Sequence, residues 1–258
     1  MIIFLLVISV YNYSIFILFI NVTFIKFFYK VIFFEIFFMH FTIQNLLSIQ
    51  ASIKSKLLEL KEKNRIPKII AVSKTFKIEH ILPLINYGHV DFGENKVQEA
   101  VEKWTEIKTI NKKLKLHLIG KLQTNKVKFA VKIFDYIHSL DSEKLAKKIA
   151  DEQNKQSVKP KIFIQINLGE ESQKSGISKN NLLDFYNFSK SLGLDIIGTM
   201  CIPPFDEDST KYFSQMNDSN KKIKLTDLSM GMSSDYLSAI EFQATYLRIG
   251  SNIFGQRD

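Results

Sequence analysis

Cysteine is nearly absent from this chain, in which Cys201 is the single cysteine among 258 residues. One cysteine excludes a disulfide within the chain, which favours a reducing compartment, and we expect a cytoplasmic protein. A lone cysteine is usually a small buried apolar residue. Cysteine and histidine residues nowhere have the spacing of zinc ligands, so the sequence predicts no metal site.

Arginine is also scarce, because only Arg65, Arg248 and Arg257 accompany a net charge of +9. The positive charge therefore comes mainly from lysines, which are scattered over the predicted helix faces. Proteins that bind nucleic acid rely on arginine and on aromatic platforms, so we expect solvated helix faces and no nucleic-acid partner. The alternative is a lysine-rich protein that binds nucleic acid or is anchored in a membrane.

Residues 1–38 contain no glycine, proline or alanine, although they hold ten of the 22 phenylalanines. No charged residue precedes Lys26, so this stretch is long enough to span a bilayer. It lacks the basic start and the small-residue cleavage site of a signal peptide. We interpret 1–38 as a hydrophobic extension that was wrongly included before the true start, since Met39 lies at the composition break, and we expect one domain over 39–258. The alternatives are a buried or partner-binding helix and a membrane anchor, and a membrane partner is expected only if the extension is real.

From residue 44 onward, a leading helix predicted at Gln44–Asn64 is followed by short apolar runs that alternate with amphipathic segments. Eight runs are predicted as strands: Ile69–Ser73, Asp91–Glu94, Leu116–Ile119, Tyr136–Ser139, Ile162–Asn167, Ile196–Met200, Leu225–Met230 and Tyr246–Ile249. Seven segments between them are predicted as helices: Ile78–Tyr87, Val97–Ile107, Asn125–Phe134, Ser142–Gln153, Asn181–Leu192, Thr210–Asn217 and Asp235–Phe242. The alternation indicates a parallel sheet, and eight repeats in an α/β chain predict a closed (βα)8 TIM barrel.

Neither a GxGxxG motif nor a P-loop follows any predicted strand, which disfavours an open nucleotide-binding sheet. The sequence also predicts no helix after the eighth strand and no second domain before Asp258. We therefore expect the leading helix to cover the gap that a missing eighth helix would leave in the outer ring.

Lys74 directly follows the first predicted strand. Burying its ammonium group in the sheet would be costly, so we expect the lysine to emerge at the C-terminal edge of the strand. In parallel α/β folds this edge is where chemistry takes place. A lysine at such an edge can form a Schiff base with a carbonyl compound. The alternative is an ordinary lysine that marks the end of a strand.

The ends of the last two predicted strands carry residues typical of a phosphate site. Gly231 and Gly250 permit close approach of the backbone, and Ser229, Ser233 and Ser251 offer hydroxyl groups. Phosphate groups often bind at the loops after strands seven and eight of such barrels, and the start of the helix predicted after Ser233 is a ready anion site. The alternative is that Ser233 serves only as the N-cap of that helix.

An imine-forming lysine and a phosphate cradle at one barrel mouth together suit a phosphorylated aldehyde. Pyridoxal 5′-phosphate (PLP) is the cofactor of that description. Aldolases that form a Schiff base with a phosphorylated sugar are the rival, but for them we would expect the lysine in a middle or late strand.

Several motifs, in order along the chain, resemble those of one family. They are Ala71-Val72-Ser73-Lys74-Thr75, Phe92-Gly93-Glu94-Asn95, Val97-Gln98-Glu99, His117-Leu118-Ile119-Gly120, Leu122-Gln123-Thr124-Asn125-Lys126, Lys174-Ser175-Gly176, Gly198-Thr199-Met200, Leu228-Ser229-Met230-Gly231-Met232-Ser233 and Arg248-Ile249-Gly250. With them, the chain from about Ile43 to Arg257 resembles the PLP homeostasis proteins, single-domain relatives of the alanine racemase barrel.

The resemblance implies a fold-type III PLP site with a stated role for each residue. Lys74 would hold PLP as a Schiff base, and Asn95 would lie beside the ring. The other implied contacts are Ser233, Gly250 and Ser251 to the phosphate, Ser229 and Met230 along the site, and Arg248 opposite the pyridine nitrogen. A guanidinium cannot accept a proton, so it would leave the pyridine nitrogen unprotonated and make PLP a weaker electron sink.

The resemblance also bears on catalysis. Related racemases use a second base from an additional β-domain and a partner subunit, for which this chain has no room. We therefore expect a monomeric PLP-binding protein of intracellular PLP homeostasis that does not turn over a substrate, with apo PLP-dependent enzymes as recipients. The alternative is a PLP-dependent amino-acid racemase or lyase with Lys74 as the base and with Tyr87, His117 or His138 as a conceivable partner.

Overall fold

The computed structural model describes residues 39–62, 65–169 and 175–256. The hydrophobic extension 1–38 lies outside these residues, so its interpretation stays a prediction, as does the single domain over 39–258. Within the described part of the chain, no helix is both long and apolar enough to cross a bilayer.

Eight parallel strands form a closed barrel in the order of the sequence, with the last strand pairing with the first. They are β1 (Lys68–Val72), β2 (Asp91–Glu94), β3 (Lys115–Leu118), β4 (Tyr136–Leu140), β5 (Lys161–Gln165), β6 (Asp195–Met200), β7 (Asp227–Ser229) and β8 (Tyr246–Ile249). The predicted α/β TIM barrel is thus confirmed. Strand β7 is only three residues long and is shorter at both ends than predicted.

Nine α-helices lie in the described residues: α1 (Phe41–Glu59), α2 (Ile78–Tyr87), α3 (Val97–Ile110), α4 (Val127–Ile133), α5 (Glu143–Gln156), α6 (Leu182–Ser191), α7 (Ser209–Lys222), α8 (Tyr236–Glu241) and α9 (Ser251–Phe254). Single 3₁₀ turns at Thr124–Lys126 and Lys179–Asn181 lead into α4 and α6. The expectation of no helix after β8 was wrong, because α9 forms there. It is a single turn of four residues, too short to show a helical pattern in the sequence.

Side chains along each strand point alternately outward to the helices and inward to the barrel interior, which separates two apolar regions. Outward-facing residues such as Ala71, Phe92 and Leu247 join the main core between the sheet and the helices. Inside the barrel the apolar cluster is small: Ile70, Tyr136, Phe163, Met200 and Tyr246. Polar side chains share this interior, including His117, His138 and Arg248, all of them buried. The barrel interior is therefore unusually polar for a packed core.

Helix α1 covers the side of the barrel beside α8 and the short α9, as predicted for the leading helix. Its buried residues Leu46, Ile49, Ile53 and Leu57 recur at helical spacing and belong to the main core. Asn45 Nδ2 donates a hydrogen bond of 3.0 Å to the carbonyl oxygen of Ile253 in α9. An ion pair of 2.5 Å joins Lys56 of α1 to Glu241 of α8. The helix is therefore part of the barrel wall.

We expect Ile53→Ala in α1 to lower the free energy of unfolding by about 3 kcal/mol, because it removes a fully enclosed side chain from the core. Leu58→Ala is the matched control in the same helix, since Leu58 is 54% exposed, and its effect should stay below about 1 kcal/mol. Urea unfolding of both variants measures the difference. Equal losses would show that α1 is not packed as described.

Candidate functional site

Lys74 lies just past β1, at the C-terminal end of the barrel strands, and its side chain is half-buried. It follows Ile70 and Val72 at every second position, and Ile70 points into the barrel. Thr75, the next residue, has a φ of +70°, in the left-handed region that threonine rarely adopts. Such strain often accompanies functional positions. The expected emergence of the lysine at this edge agrees with the structure.

Two side chains of α3 hold the backbone on both sides of Lys74. Lys103 Nζ donates a hydrogen bond of 3.0 Å to the carbonyl oxygen of Ser73, and Glu99 Oε1 accepts one of 2.6 Å from the N–H of Thr75. Lys103 and Glu99 are themselves paired at 2.9 Å. The turn that carries Lys74 is thereby fixed to a helix, which limits where the lysine amine can move.

Glu94, at the end of β2, supports the same turn from below. Its Oε1 accepts hydrogen bonds from Ser73 Oγ at 2.7 Å, Trp104 Nε1 at 3.0 Å and Lys103 Nζ at 3.1 Å. Burial raises the pKa of Glu94, while the charge of Lys103 and the hydrogen bonds oppose that rise. Sequence reasoning missed this cluster. The one indication in the sequence was a carboxylate residue within a strand that is predicted to be buried.

Asn95 directly follows Glu94 and is half-buried at the same rim. Gly120, after β3, packs against its backbone: a Cβ atom on Gly120 would lie 2.3 Å from the carbonyl oxygen of Asn95. Only glycine permits this approach. The position of Asn95 therefore depends on a glycine in the neighbouring loop.

Arg248 reaches into the barrel from β8 and is 4% exposed. One terminal nitrogen donates a hydrogen bond of 2.8 Å to Ser229 Oγ, and the other donates one of 2.8 Å to the carbonyl oxygen of Cys201. Burial lowers the pKa of Arg248, yet a guanidinium keeps its charge in proteins. Burial also raises the pKa of the Cys201 thiol to about 12, so this cysteine is an unreactive buried group. Met230, also buried, follows Ser229.

Ser233 joins the loops after β7 and β8. Its Oγ accepts hydrogen bonds from the backbone N–H groups of Gly250 at 3.3 Å and Asn252 at 3.4 Å, and its carbonyl oxygen accepts one of 2.9 Å from Asn252 Nδ2. Ser251 lies between these two N–H groups and is exposed. We call Ser233, Gly250, Ser251 and Asn252 the hydroxyl–amide cluster. Asn252 had escaped the sequence reading.

The N-cap alternative for Ser233 does not agree with the structure. Helix α8 begins at Tyr236, and Asp235 occupies its N-cap position. Asp235 Oδ1 accepts a hydrogen bond of 2.6 Å from the N–H of Met232, which tightens the loop after β7. Ser233 therefore turns its hydroxyl toward the loop after β8.

Pairing of β1 with β8 brings the two parts of the site together. Ile70 lies beside Arg248 and Ala71 beside Ile249. A Cβ atom on Gly250 would lie 3.5 Å from the carbonyl oxygen of Val72. The turn of Lys74 and the hydroxyl–amide cluster thus occupy neighbouring positions on one rim. This arrangement combines an amine, hydroxyl and amide donors for an anion, and a guanidinium.

His117 and His138 are enclosed in the barrel interior, with both nitrogens of each ring in hydrogen bonds. His117 contacts Asp91 at 3.0 Å and His138 at 3.0 Å, and His138 contacts Ser229 at 2.8 Å. Burial lowers the pKa of both histidines, most strongly that of His138, where the positive charge of the nearby Arg248 adds to the effect. Both rings are therefore neutral at neutral pH.

The sequence pattern of the family described as "Alanine racemase, N-terminal domain" matches residues 50–258. The pyridoxal phosphate homeostasis protein of Pasteurella multocida is 39% identical over 227 residues, covering 83% of this chain and 97% of that protein. The chain belongs to the pyridoxal phosphate homeostasis protein family. The family member of Aquifex aeolicus is 36% identical over 200 residues, covering 74% of this chain and 87% of that protein.

Solved structures agree with this membership. PipY of Synechococcus elongatus, solved with PLP bound, superposes with a TM-score of 0.69 at 33% identity and covers 79% of this chain and 100% of its own. An alanine racemase of Clostridium difficile superposes with a TM-score of 0.64 at 16% identity, with 84% of this chain and 57% of that chain covered, a likeness in fold alone. The expected family resemblance is confirmed.

The lowered pKa values of the two histidines predict a pH dependence of stability. Below the ordinary histidine pKa, about 6.5, these histidines take up protons in the unfolded chain but stay neutral in the folded barrel. The free energy of unfolding therefore falls as pH decreases from 6.5 toward the lowered folded-state pKa values. Each such histidine contributes a slope of about 1.4 kcal/mol per pH unit. His138→Phe should therefore lose less stability than wild type between pH 7 and pH 5, measured by urea unfolding. Equal slopes would contradict the burial of a neutral His138.

Proposed function

We propose that the chain binds PLP at this rim, holds it reversibly on Lys74, and serves in intracellular PLP homeostasis. The observation that carries the proposal is the placing of the Lys74 turn and the hydroxyl–amide cluster on adjacent strands, with the guanidinium of Arg248 inside the same mouth. When bound, PLP supplies an aldehyde that condenses with an amine, with loss of one water, and a ring that accepts electrons.

The donors present fit PLP part by part. The Lys74 amine is the group for the aldehyde. Ser233 and Ser251 offer hydroxyl groups, and Gly250 and Ser251 offer backbone N–H groups, for the phosphate. Arg248 is the donor for the pyridine nitrogen, held from one side by Ser229. The remaining proposed contacts, beside the ring and along the site, are Asn95 and Met230.

Binding without substrate turnover is the second part of the proposal. A two-sided proton transfer needs a base besides Lys74. Both nitrogens of His117 and of His138 are engaged in the interior. Tyr87 ends α2 and is 46% exposed, at the end of the barrel opposite to Lys74. None of the three conceivable partners is thus placed to take a proton at the rim.

The alternative is an amino-acid racemase or lyase, favoured by the likeness in fold to alanine racemase. Sustained racemisation by the PLP-loaded protein, abolished in Lys74→Ala, would establish it. A monomeric state, a cytoplasmic location and apo PLP-dependent enzymes as recipients complete the proposal. The single buried cysteine supports a reducing compartment.

Borohydride reduction of the PLP-loaded protein, followed by peptide mapping, tests the lysine. We expect one phosphopyridoxyl adduct, on Lys74, because this residue follows β1 at the rim where the hydroxyl–amide cluster lies. Lys74→Ala should lose the adduct and the visible absorbance of bound PLP. Lys77→Ala is the matched control, since Lys77 is exposed three residues further on, and it should behave as wild type. An adduct on another lysine would overturn the assignment.

Ser233→Ala tests the phosphate contacts. It removes the hydroxyl that joins the two loops, so we expect the Kd for PLP to rise about tenfold, as for the loss of one hydrogen bond to a charged group. The Kd for pyridoxal, which has no phosphate, should change little. Ser238→Ala in α8 is the control. The same loss for both ligands would place the phosphate elsewhere.

A further inference from the structure

A continuous line of hydrogen bonds crosses the barrel interior from Asp91, at the start of β2, to Arg248 in β8. Asp91 Oδ1 lies 3.0 Å from His117 Nε2, and His117 Nδ1 lies 3.0 Å from His138 Nε2. His138 Nδ1 lies 2.8 Å from Ser229 Oγ, which accepts the hydrogen bond of 2.8 Å from Arg248. The five side chains come from five different strands, so the line exists only in the closed barrel.

The chemistry of the two ends sets the direction of every bond in this line. A guanidinium can only donate and an ionised carboxylate can only accept. Because Ser229 accepts from Arg248, its own proton is available to His138 Nδ1. A neutral His138 then carries its proton on Nε2 and donates to His117, which carries its proton on Nε2 and donates to Asp91. All four bonds therefore run from Arg248 toward Asp91.

An additional proton on His117 would break this order. Both nitrogens of His117 would then donate, so His138 Nε2 would have to accept and the proton of His138 would move to Nδ1. His138 would then donate to Ser229 Oγ, and the serine proton would lose its acceptor in the line. The surroundings oppose such a charge because both rings are enclosed by aromatic side chains. The ring centroids of Tyr136 and His117 are 4.2 Å apart, and those of Phe163 and His138 are 4.3 Å apart. Burial lowers the pKa of both rings.

The carboxylate end of the line is held in its ionised form. Burial alone would raise the pKa of Asp91, but the hydrogen bond from His117 outweighs it, together with the positive charge of Lys68, and holds the pKa below its ordinary value. Asp227 in β7 is a further titratable group near this end, and it interacts with Lys68 and with Lys161 of β5. Asp91 is therefore an acceptor at one end of the line, and Arg248 is a donor at the other.

We propose that Asp91, His117, His138 and Ser229 form a proton-ordered relay of positioning residues, which sets the orientation of the Arg248 guanidinium toward the pyridine nitrogen of PLP. This inference rests on the proposed function, because it needs PLP beside Arg248. Ser229 and the carbonyl oxygen of Cys201 each hold one terminal nitrogen of Arg248, which fixes the plane of the guanidinium. Asp91, at the far end of the barrel, thus influences the binding of PLP without touching it.

Nitrogen-15 NMR of histidine-labelled protein without PLP reads the proton order directly. We expect His117 and His138 both to be neutral at pH 7, with the proton on Nε2 and none on Nδ1. His117→Phe and His138→Phe assign the signals. A doubly protonated ring, or a proton on Nδ1 of either histidine, would overturn the relay.

Asp91→Asn tests the link to PLP while keeping the shape of the side chain. Its amide can present an N–H to His117 Nε2, which moves the ring proton to Nδ1 and reverses both histidines, as in triads where an aspartate selects the histidine tautomer. We expect Nδ1–H signals in this variant, a Kd for PLP about tenfold higher and a shifted absorbance maximum of bound PLP. Asp195→Asn, the same change at the start of β6, is the control and should match wild type.

Each outcome separates the relay from the proposed function. Unchanged PLP affinity and absorbance in Asp91→Asn would overturn the role of the relay, whatever the proton order. If Asp91→Asn does not fold, His138→Asn serves in its place, because it keeps an acceptor for Ser229 but cuts the link to His117. The same rise in the Kd for PLP and the same shift in absorbance are expected. If the wild-type protein fails to bind PLP, the proposed function and the role of the relay both fall, while the NMR of the protein without PLP still decides the proton order.

Discussion

The pairing of β1 with β8 closes the barrel, and the candidate site exists only because of it. The backbone ladder between these strands places Ile70 beside Arg248 and Ala71 beside Ile249. Lys74 and Gly250 follow these strands and so reach one rim, although they lie near opposite ends of the described chain. Backbone hydrogen bonds act together along such a ladder, so the amine and the hydroxyl–amide cluster are placed by the fold rather than by local contacts. The adjoining turn is further fixed by Glu99 and Lys103 of α3.

A buried guanidinium places a second constraint on the interior. An unpaired buried charge is strongly destabilising, so Arg248 requires acceptors inside the barrel, and Ser229 and a backbone carbonyl supply them. Ser229 in turn needs an acceptor for its proton, which leads through two histidines to Asp91. The polar interior follows from this requirement. A conventional barrel core of aliphatic layers would leave Arg248 without partners, and for this reason the apolar cluster inside the barrel is small.

Much of the fold was predictable because each strand of a parallel barrel is buried on both faces and each helix is amphipathic. Those are local patterns, and they located all eight strands and the role of α1. The short α9 was missed because a single turn shows no periodicity. At the site, Lys74, Ser233 and Gly250 were recognisable from their positions at strand ends. Glu94 and Lys103 were not, because no local pattern predicts that a carboxylate at the end of β2 contacts a lysine on α3. The roles of the site residues toward PLP remain proposals.

His117 and His138 show most clearly what could not be predicted from the sequence. By itself, the sequence determined the α/β barrel, the family resemblance, the lysine at the end of the first strand and the serine and glycine residues near the last two. Only the tertiary structure decided that Ser233 joins two loops instead of capping a helix, and that two histidines far apart in sequence meet between Asp91 and Ser229. The physical reason is that strand and helix patterns depend on neighbours along the chain, whereas a hydrogen bond across the interior depends on strand register and on closure of the barrel.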